Sequence, residues 1–179
     1  MRSAKDAGSR DSDEGEIRQG HNLSIRPFGR SLPMQLMRVR ELVMQRFRPN
    51  LNSHDLTDQQ WRIIRALAET ESLEILEVSN RCCIHPASLS RILPKLEAEG
   101  YLSRRTNKED QRRVIVSLTA AGRRFFETIS PESETIYAAL EQEIGSQLLE
   151  RLYKELDAVA AALANGSETK PPRTREKAR

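Results

Sequence analysis

The stretch from residue 72 to residue 122 constrains the fold more than any other part of this chain. An amphipathic segment, a tight turn, a second helix opening on His85-Pro86 and a basic hairpin follow one another without spare residues. Ile75, Val78 and Cys82 share one face of a helix over about 75–82, and Ser79 is small enough for a crossing helix to come close. Cys83-Ile84-His85 makes the turn. Pro86 suits the first turn of the next helix, where its missing N–H would be unpaired anyway. Leu89, Ile92, Leu93 and Leu96 face inward from that helix, and Gly100 offers the left-handed position that ends it. Two short helices joined by such a turn form a helix-turn-helix, whose second helix fits the major groove of DNA.

With the leucines turned inward, Ser88, Arg91 and Lys95 fall on the outer face at i, i+3 and i+7. Arg91 can donate two hydrogen bonds to a guanine edge, Ser88 can reach a base or a phosphate, and Lys95 sits further along as a phosphate contact. Arg81, Pro86 and Ser90 complete the candidate contacts on the two helices. Beyond them, Arg104, Arg105, Lys108, Arg112 and Arg113 crowd into a short ribbon that cannot hide them in a core. An arginine at the tip of such a wing suits a narrow minor groove. Asp110 repels DNA by itself, so the expectation is that it pairs with the Arg112 guanidinium and fixes its direction. Pro94 conflicts with a simple helix. It removes an N–H and crowds residue 90, so either the helix bends or surrounding contacts compensate.

The remaining helices follow from period and caps. Ser31 and Pro33 open a first helix carrying Leu36, Val39, Val43 and Phe47, which Pro49 is expected to stop. Thr57 and Gln60 make a capping box for the second, with Leu56 stapling onto Trp61 and an apolar stripe of Ile63, Ile64, Leu67 and Ala68. Strands are expected at Tyr101–Arg105 and Arg113–Leu118. Thr119 caps a long helix carrying Phe125, Ile129, Ile136 and Leu140, with Pro131 expected to kink it. After Gly145, Ser146 caps a last helix whose Leu148, Leu149, Leu152, Leu156, Val159 and Leu163 form a broad apolar face. The fold class is mainly α: a winged helix-turn-helix with an α-helical dimerisation region, six helices plus a β-hairpin wing. Residues 1–30 are expected to be a disordered extension, 31–164 the folded domain and 165–179 a basic disordered tail. Within the domain the winged motif covers about 56–118, and the dimerisation helices cover 31–50 and 119–164.

Charge is uneven although the net is only +3. Residues 81–113 hold eight Lys or Arg against four Asp or Glu, whereas residues 131–157 hold seven acids against two bases. That asymmetry suits a polyanion at one end. No apolar run approaches the roughly 20 residues of a membrane span, and no apolar leader stands at the start. Adjacent Cys82 and Cys83 make neither a disulfide framework nor a zinc spacing, so a cytoplasmic protein with reduced thiols and no metal or cofactor is expected. His21, His54 and His85 lie on different segments with no nucleophile–base spacing, which argues against an enzyme.

The run Leu89-Ser90-Arg91-Ile92-Leu93, then Leu96-Glu97-Ala98-Glu99-Gly100-Tyr101-Leu102, Asp110-x-Arg112 and Ser117-Leu118-Thr119-Ala120-Ala121-Gly122, resembles the MarR family of winged helix-turn-helix regulators. The likeness covers about Ser31 to Leu163. Arg46-Phe47-Arg48-Pro49, Leu56-Thr57-x-Gln59-Gln60-Trp61-Arg62 and Arg81-x-Cys83-Ile84 further resemble a subgroup typified by homoprotocatechuate-degradation regulators. The resemblance implies a homodimer built on the first and last helices, a pseudo-palindromic operator, and repression of nearby genes relieved by a small aromatic acid. It also implies an effector pocket between the dimer-forming helices and the DNA-binding lobe. The cations and flat or soft side chains available there are Arg40, Met44, Trp61 and Arg65, with His54 and Arg46 as further candidates. Two other readings stand beside this one: a thiol-oxidation sensor in which Arg81 lowers a cysteine pKa, and an architectural DNA-binding protein that needs no ligand.

Overall fold

The computed structural model describes residues 26–107 and 110–167. Six helices and three short strands follow in the order α1 (Leu32–Ser53), α2 (Asp58–Ala68), β1 (Leu73–Glu74), α3 (Ile75–Cys82), α4 (Pro86–Ala98), β2 (Leu102–Thr106), β3 (Val114–Leu118), α5 (Ala120–Ile144) and α6 (Ser146–Ser167). The chain divides into two units, Met1–Arg38 and Val39–Arg179. In the first, Phe28–Arg30 form a single 3₁₀ turn, and the Gln35 N–H donates to the Ser31 carbonyl (3.0 Å), which puts Ser31 at the N-cap of α1.

The second unit is built around α2, which buries Trp61, Ile63, Ile64 and Leu67. Its start is fixed by reciprocal bonds: the Gln60 N–H donates to Thr57 Oγ1 (3.3 Å) and the Thr57 N–H to Gln60 Oε1 (2.9 Å). Val78 and Cys82 of α3, Leu89, Leu93 and Leu96 of α4, and Ile129 of α5 close over that stripe. Leu56 is buried in the same core.

One proline behaves differently from the sequence expectation. Pro49 does not end α1, which runs on to Ser53. Phe47, Asn50 and Leu51 are all buried there, and continuing the helix keeps them facing the core. The helix ends instead before Asp55, a non-glycine residue in the left-handed region (φ 56°). Pro131 lies inside α5, which is continuous over 25 residues. The cap of the last helix lies one residue before the expected Ser146, which is already the first helical residue. The Leu149 N–H donates to the Gly145 carbonyl (3.1 Å), so Gly145 (φ 89°) ends α5 and caps α6 at once.

The sheet has the order β1-β3-β2, both pairs antiparallel. β1 had no signature in the sequence, because two residues carry no alternation. Leu73 opposes Val116 and Glu74 opposes Ile115. In the hairpin, Leu102 opposes Leu118, Arg104 opposes Val116 and Arg105 opposes Ile115. Alternation therefore puts Leu102, Arg104, Val116 and Leu118 on one face and Ser103, Arg105, Ile115 and Ser117 on the other. Leu102 and Val116 are buried, so the first face is the inner one.

Candidate nucleic-acid interface

The turn before α4 is held from both sides. Cys83 adopts a left-handed conformation (φ 49°), the Ile84 N–H donates to the Ser79 carbonyl (3.0 Å), and Ser79 Oγ donates to the Ile84 carbonyl (2.7 Å). A small hydroxyl at residue 79 thus latches the turn as well as allowing close packing. His85 caps α4, its Nδ1 accepting from the Ala87 N–H (3.2 Å), and Pro86 occupies the first turn. At the other end Gly100 (φ 78°) closes the helix, its N–H donating to the Glu97 carbonyl (2.9 Å) and that of Tyr101 to the Leu96 carbonyl (3.0 Å). Those are the two bonds of a Schellman termination.

α4 buries Leu89, Leu93 and Leu96 and exposes Ser90, Arg91, Pro94 and Lys95, with Ser88 half-buried. The helix runs through Pro94 because the ring lies on the exposed side while its two flanking leucines stay anchored. Ser90 Oγ donates to the Ala87 carbonyl (2.9 Å), and Lys95 Nζ stands 3.8 Å from Glu99. Arg91 makes no hydrogen bond or ion pair among the described residues.

Cations that look equivalent in the sequence separate into two groups. Arg81 is paired with Glu69 (2.7 Å). Arg104 points to the inner face of the hairpin and donates through Nε to Glu97 Oε2 on α4 (2.7 Å), with a second bond from Nη2. Arg113 is paired with Glu74 (3.0 Å) and Asp110 (3.4 Å). Arg105 and Arg112 are exposed and make no ion pair among the described residues. Lys108 lies outside the described residues.

Asp110 does not grip the Arg112 guanidinium. Its Oδ1 accepts from the Arg112 main-chain N–H (3.0 Å) and its Oδ2 faces Arg113. Two residues is the span of an Asx turn, in which the carboxylate reaches the backbone more easily than the next-but-one side chain. Asp110 thus fixes the main chain at Arg112, and among the described residues the five donors of its guanidinium have no partner. Arg105 was legible only as one of a crowd; strand parity is what separates it from Arg104.

Four of the six residues considered for an effector line one cavity of about 210 Å³: Arg40, Met44, Trp61 and Arg65. Phe47, Asp58, Arg62 and Tyr137 join them there. Arg65 Nη1 donates to the Tyr137 hydroxyl (2.7 Å) and lies over its ring (5.1 Å to the centroid). Arg40 faces Asp58 (3.4 Å), and Trp61 stacks on Phe126 at 5.7 Å. His54 and Arg46 are elsewhere. His54 meets Phe125 edge-on at 6.2 Å, and Arg46 forms a two-point pair with Glu143 (2.9 Å each). Tyr137 had no signal in the sequence, since nothing in the α5 pattern distinguishes it from its apolar neighbours.

The two cysteines also differ. Cys82 is buried with its Sγ against the Arg62 carbonyl (3.5 Å); Cys83 is exposed. Burial pushes the Cys82 thiol above its ordinary pKa despite the nearby charges of Arg62 and Arg81. The expectation that Arg81 lowers a thiol pKa therefore does not hold at Cys82: desolvation outweighs the arginine, which is occupied with Glu69. Among the described residues no group of three or more His, Cys, Asp or Glu could hold a metal ion, and no helix is long and apolar enough to cross a membrane.

Comparison with known proteins agrees with this architecture. The profile of the MarR family matches residues 56–114, from the start of α2 into β3. The regulator FarR of Neisseria gonorrhoeae is 41% identical over 136 residues, covering 74% of this chain and 93% of its own. The homoprotocatechuate degradative operon repressor of Escherichia coli is 35% identical over 122 residues, covering 68% and 82%. Among solved structures, NadR in complex with 4-hydroxyphenylacetate superposes with a TM-score of 0.68 at 39% identity, covering 76% of this chain and 96% of that one. A helix-turn-helix latched by Ser79, a hairpin with outward arginines and relatives of this similarity over most of their length lead to one assignment: the chain belongs to the MarR family of winged helix-turn-helix transcriptional regulators.

Proposed function

We propose that this protein is a homodimeric repressor that reads a pseudo-palindromic operator and leaves it when a small aromatic carboxylate binds. The observation that carries the DNA reading is the pattern of open charge. Among the described residues Arg91 on α4 and Arg105 and Arg112 on the wing stand without an ion-pair partner, while Arg81, Arg104 and Arg113 are neutralised by neighbouring carboxylates. Arg91, assisted by Ser88, reads base edges in the major groove. Arg112 enters the adjoining minor groove, and Arg105 and Lys95 meet phosphates.

A second copy is what α6 calls for. Leu148, Tyr153 and Leu163 are 48%, 46% and 68% exposed, and Leu152, Leu156 and Val159 are exposed beside them. An apolar stripe of that length on one helix marks an interface. Two copies place two α4 helices about one turn of DNA apart.

The effector belongs in the cavity between α1, α2 and α5. A carboxylate is held there by Arg40 or Arg65 and a flat ring by Trp61 and Met44, with the Tyr137 hydroxyl beside the arginine. That NadR binds 4-hydroxyphenylacetate supports a ligand of this chemical class. The test is direct. Selection from a random duplex pool, followed by titration with 4-hydroxyphenylacetate and related acids, gives site-specific binding that the acid weakens. Binding to every duplex alike contradicts repression at an operator. Unchanged acid affinity in both Arg40→Ala and Arg65→Ala rejects the pocket.

A further inference from the structure

Arg104 sits in the basic wing, yet its position points away from a DNA contact. It is on the inner face of the hairpin, directly opposite the buried Val116. Its guanidinium turns back toward α4 and makes two hydrogen bonds to one oxygen of Glu97. These bonds hold the Glu97 carboxyl below its ordinary pKa, so the pair stays ionised in neutral solution. On the opposite face of the same ribbon, Arg113 reaches Glu74, whose main chain pairs with β3 at Ile115. The ribbon is thus tied on its inner face to the helix that lies in the groove and on its outer face to the strand that precedes α3.

We infer that Glu97 and Arg104 are positioning residues that set the angle between α4 and the wing, and that neither touches DNA. This rests on the DNA-binding reading above and adds to it. Exposed ion pairs contribute little to folding. Their effect here is on recognition: they hold Arg105 and Arg112 where the groove will be, so less ordering is needed on binding. The alternative is that Arg104 is a phosphate contact which Glu97 merely screens.

The two readings predict opposite signs for one substitution. Glu97→Gln removes an anion close to DNA. If Arg104 contacts phosphate, the freed cation makes binding tighter. If the pair is a brace, binding of the duplex selected by the wild-type full chain weakens by roughly three- to tenfold, while the slope of log K against log salt is unchanged. Arg104→Gln behaves the same way on the brace reading. On the contact reading it flattens that slope by about 0.9 per protomer. The charge-reversed protein, Glu97→Arg with Arg104→Glu, recovers affinity relative to either reversed single variant, and melting temperatures stay near that of the wild type. Equal or tighter binding by Glu97→Gln, or a flattened slope in Arg104→Gln, overturns the brace. A wild type that selects no duplex overturns the DNA reading itself, and the brace with it.

Discussion

Gly122 lies where α5 leaves the wing, and replacing it by alanine should cost far more than its place in a helix suggests. A Cβ there would stand 2.0 Å from the Tyr101 carbonyl oxygen and 2.9 Å from its carbon. That is at least ~1.3 Å inside a close C–H···O contact of about 3.3 Å. The carbonyl cannot swing away freely, because it accepts from the Thr119 N–H (3.0 Å) and lies near Thr119 Oγ1 (3.4 Å). Nor can α5 lift without disturbing the Tyr101–Phe125 stack, whose rings are 4.2 Å apart and nearly parallel. Overpacking of this kind costs up to about 3 kcal/mol, and one weakened hydrogen bond adds about 1 kcal/mol. Alanine's better helix propensity returns about 1 kcal/mol. The net is a loss of about 3 kcal/mol, which lowers the melting temperature by roughly 6–12 °C for a domain of this size. Calorimetry of both proteins at one concentration measures it. A Gly122→Ala protein that melts at or above the wild-type temperature refutes the reasoning, since propensity alone would then have decided the outcome.

Three further expectations follow from the same contacts. In the native protein at neutral pH, iodoacetamide modifies the exposed Cys83 and leaves Cys82 untouched until unfolding, because Cys82 is buried and the same desolvation raises its thiol pKa; peptide mapping that finds Cys82 labelled first contradicts this. Glu41 and Glu97 are held below their ordinary pKa of 4.5 by hydrogen bonds from Arg48 and Arg104. Their contribution to stability is therefore present above that value and lost as pH falls through the lower, folded-state pKa values. Acid titration of Glu97→Gln should show a slightly shallower loss than wild type below about pH 4.5, and a steeper loss contradicts the lowered Glu97 pKa. Changing Leu152 and Leu156 together to glutamate should give a folded monomer by light scattering with operator affinity lost; a dimer that survives the change places the interface elsewhere.

Much of the fold was legible because its signals are local. The box at Thr57–Gln60, the Pro86 start, Gly100 and Thr119 each satisfy backbone groups within a few residues, so the sequence carries them openly. What escaped depends on partners far along the chain. β1 exists only because Leu73 and Glu74 lie beside Val116 and Ile115. Pro49 reads as a break, yet α1 continues through it, and the buried Phe47, Asn50 and Leu51 around it lie on the side of α1 that the core holds. At the candidate interface, composition shows a cluster of cations but not their division. That division follows from strand parity and from Glu69, Glu74 and Glu97, which lie 12, 39 and 7 residues from their arginines. Tyr137 entered the candidate effector cavity through the packing of α5 on α2, a contact 72 residues long that no local pattern announces.

Operator binding by a folded, dimeric Arg91→Ala/Arg112→Ala protein, compared with wild type across a salt series, tests the central claim most directly. Each bidentate base contact is worth about 1–3 kcal/mol, and the dimer carries two copies of Arg91. Specific affinity should therefore fall at least roughly 30-fold, with the preference for the selected duplex over random DNA reduced and the salt slope flattened. Undiminished affinity and selectivity in that variant would mean that α4 and the wing are not what this protein uses to hold DNA.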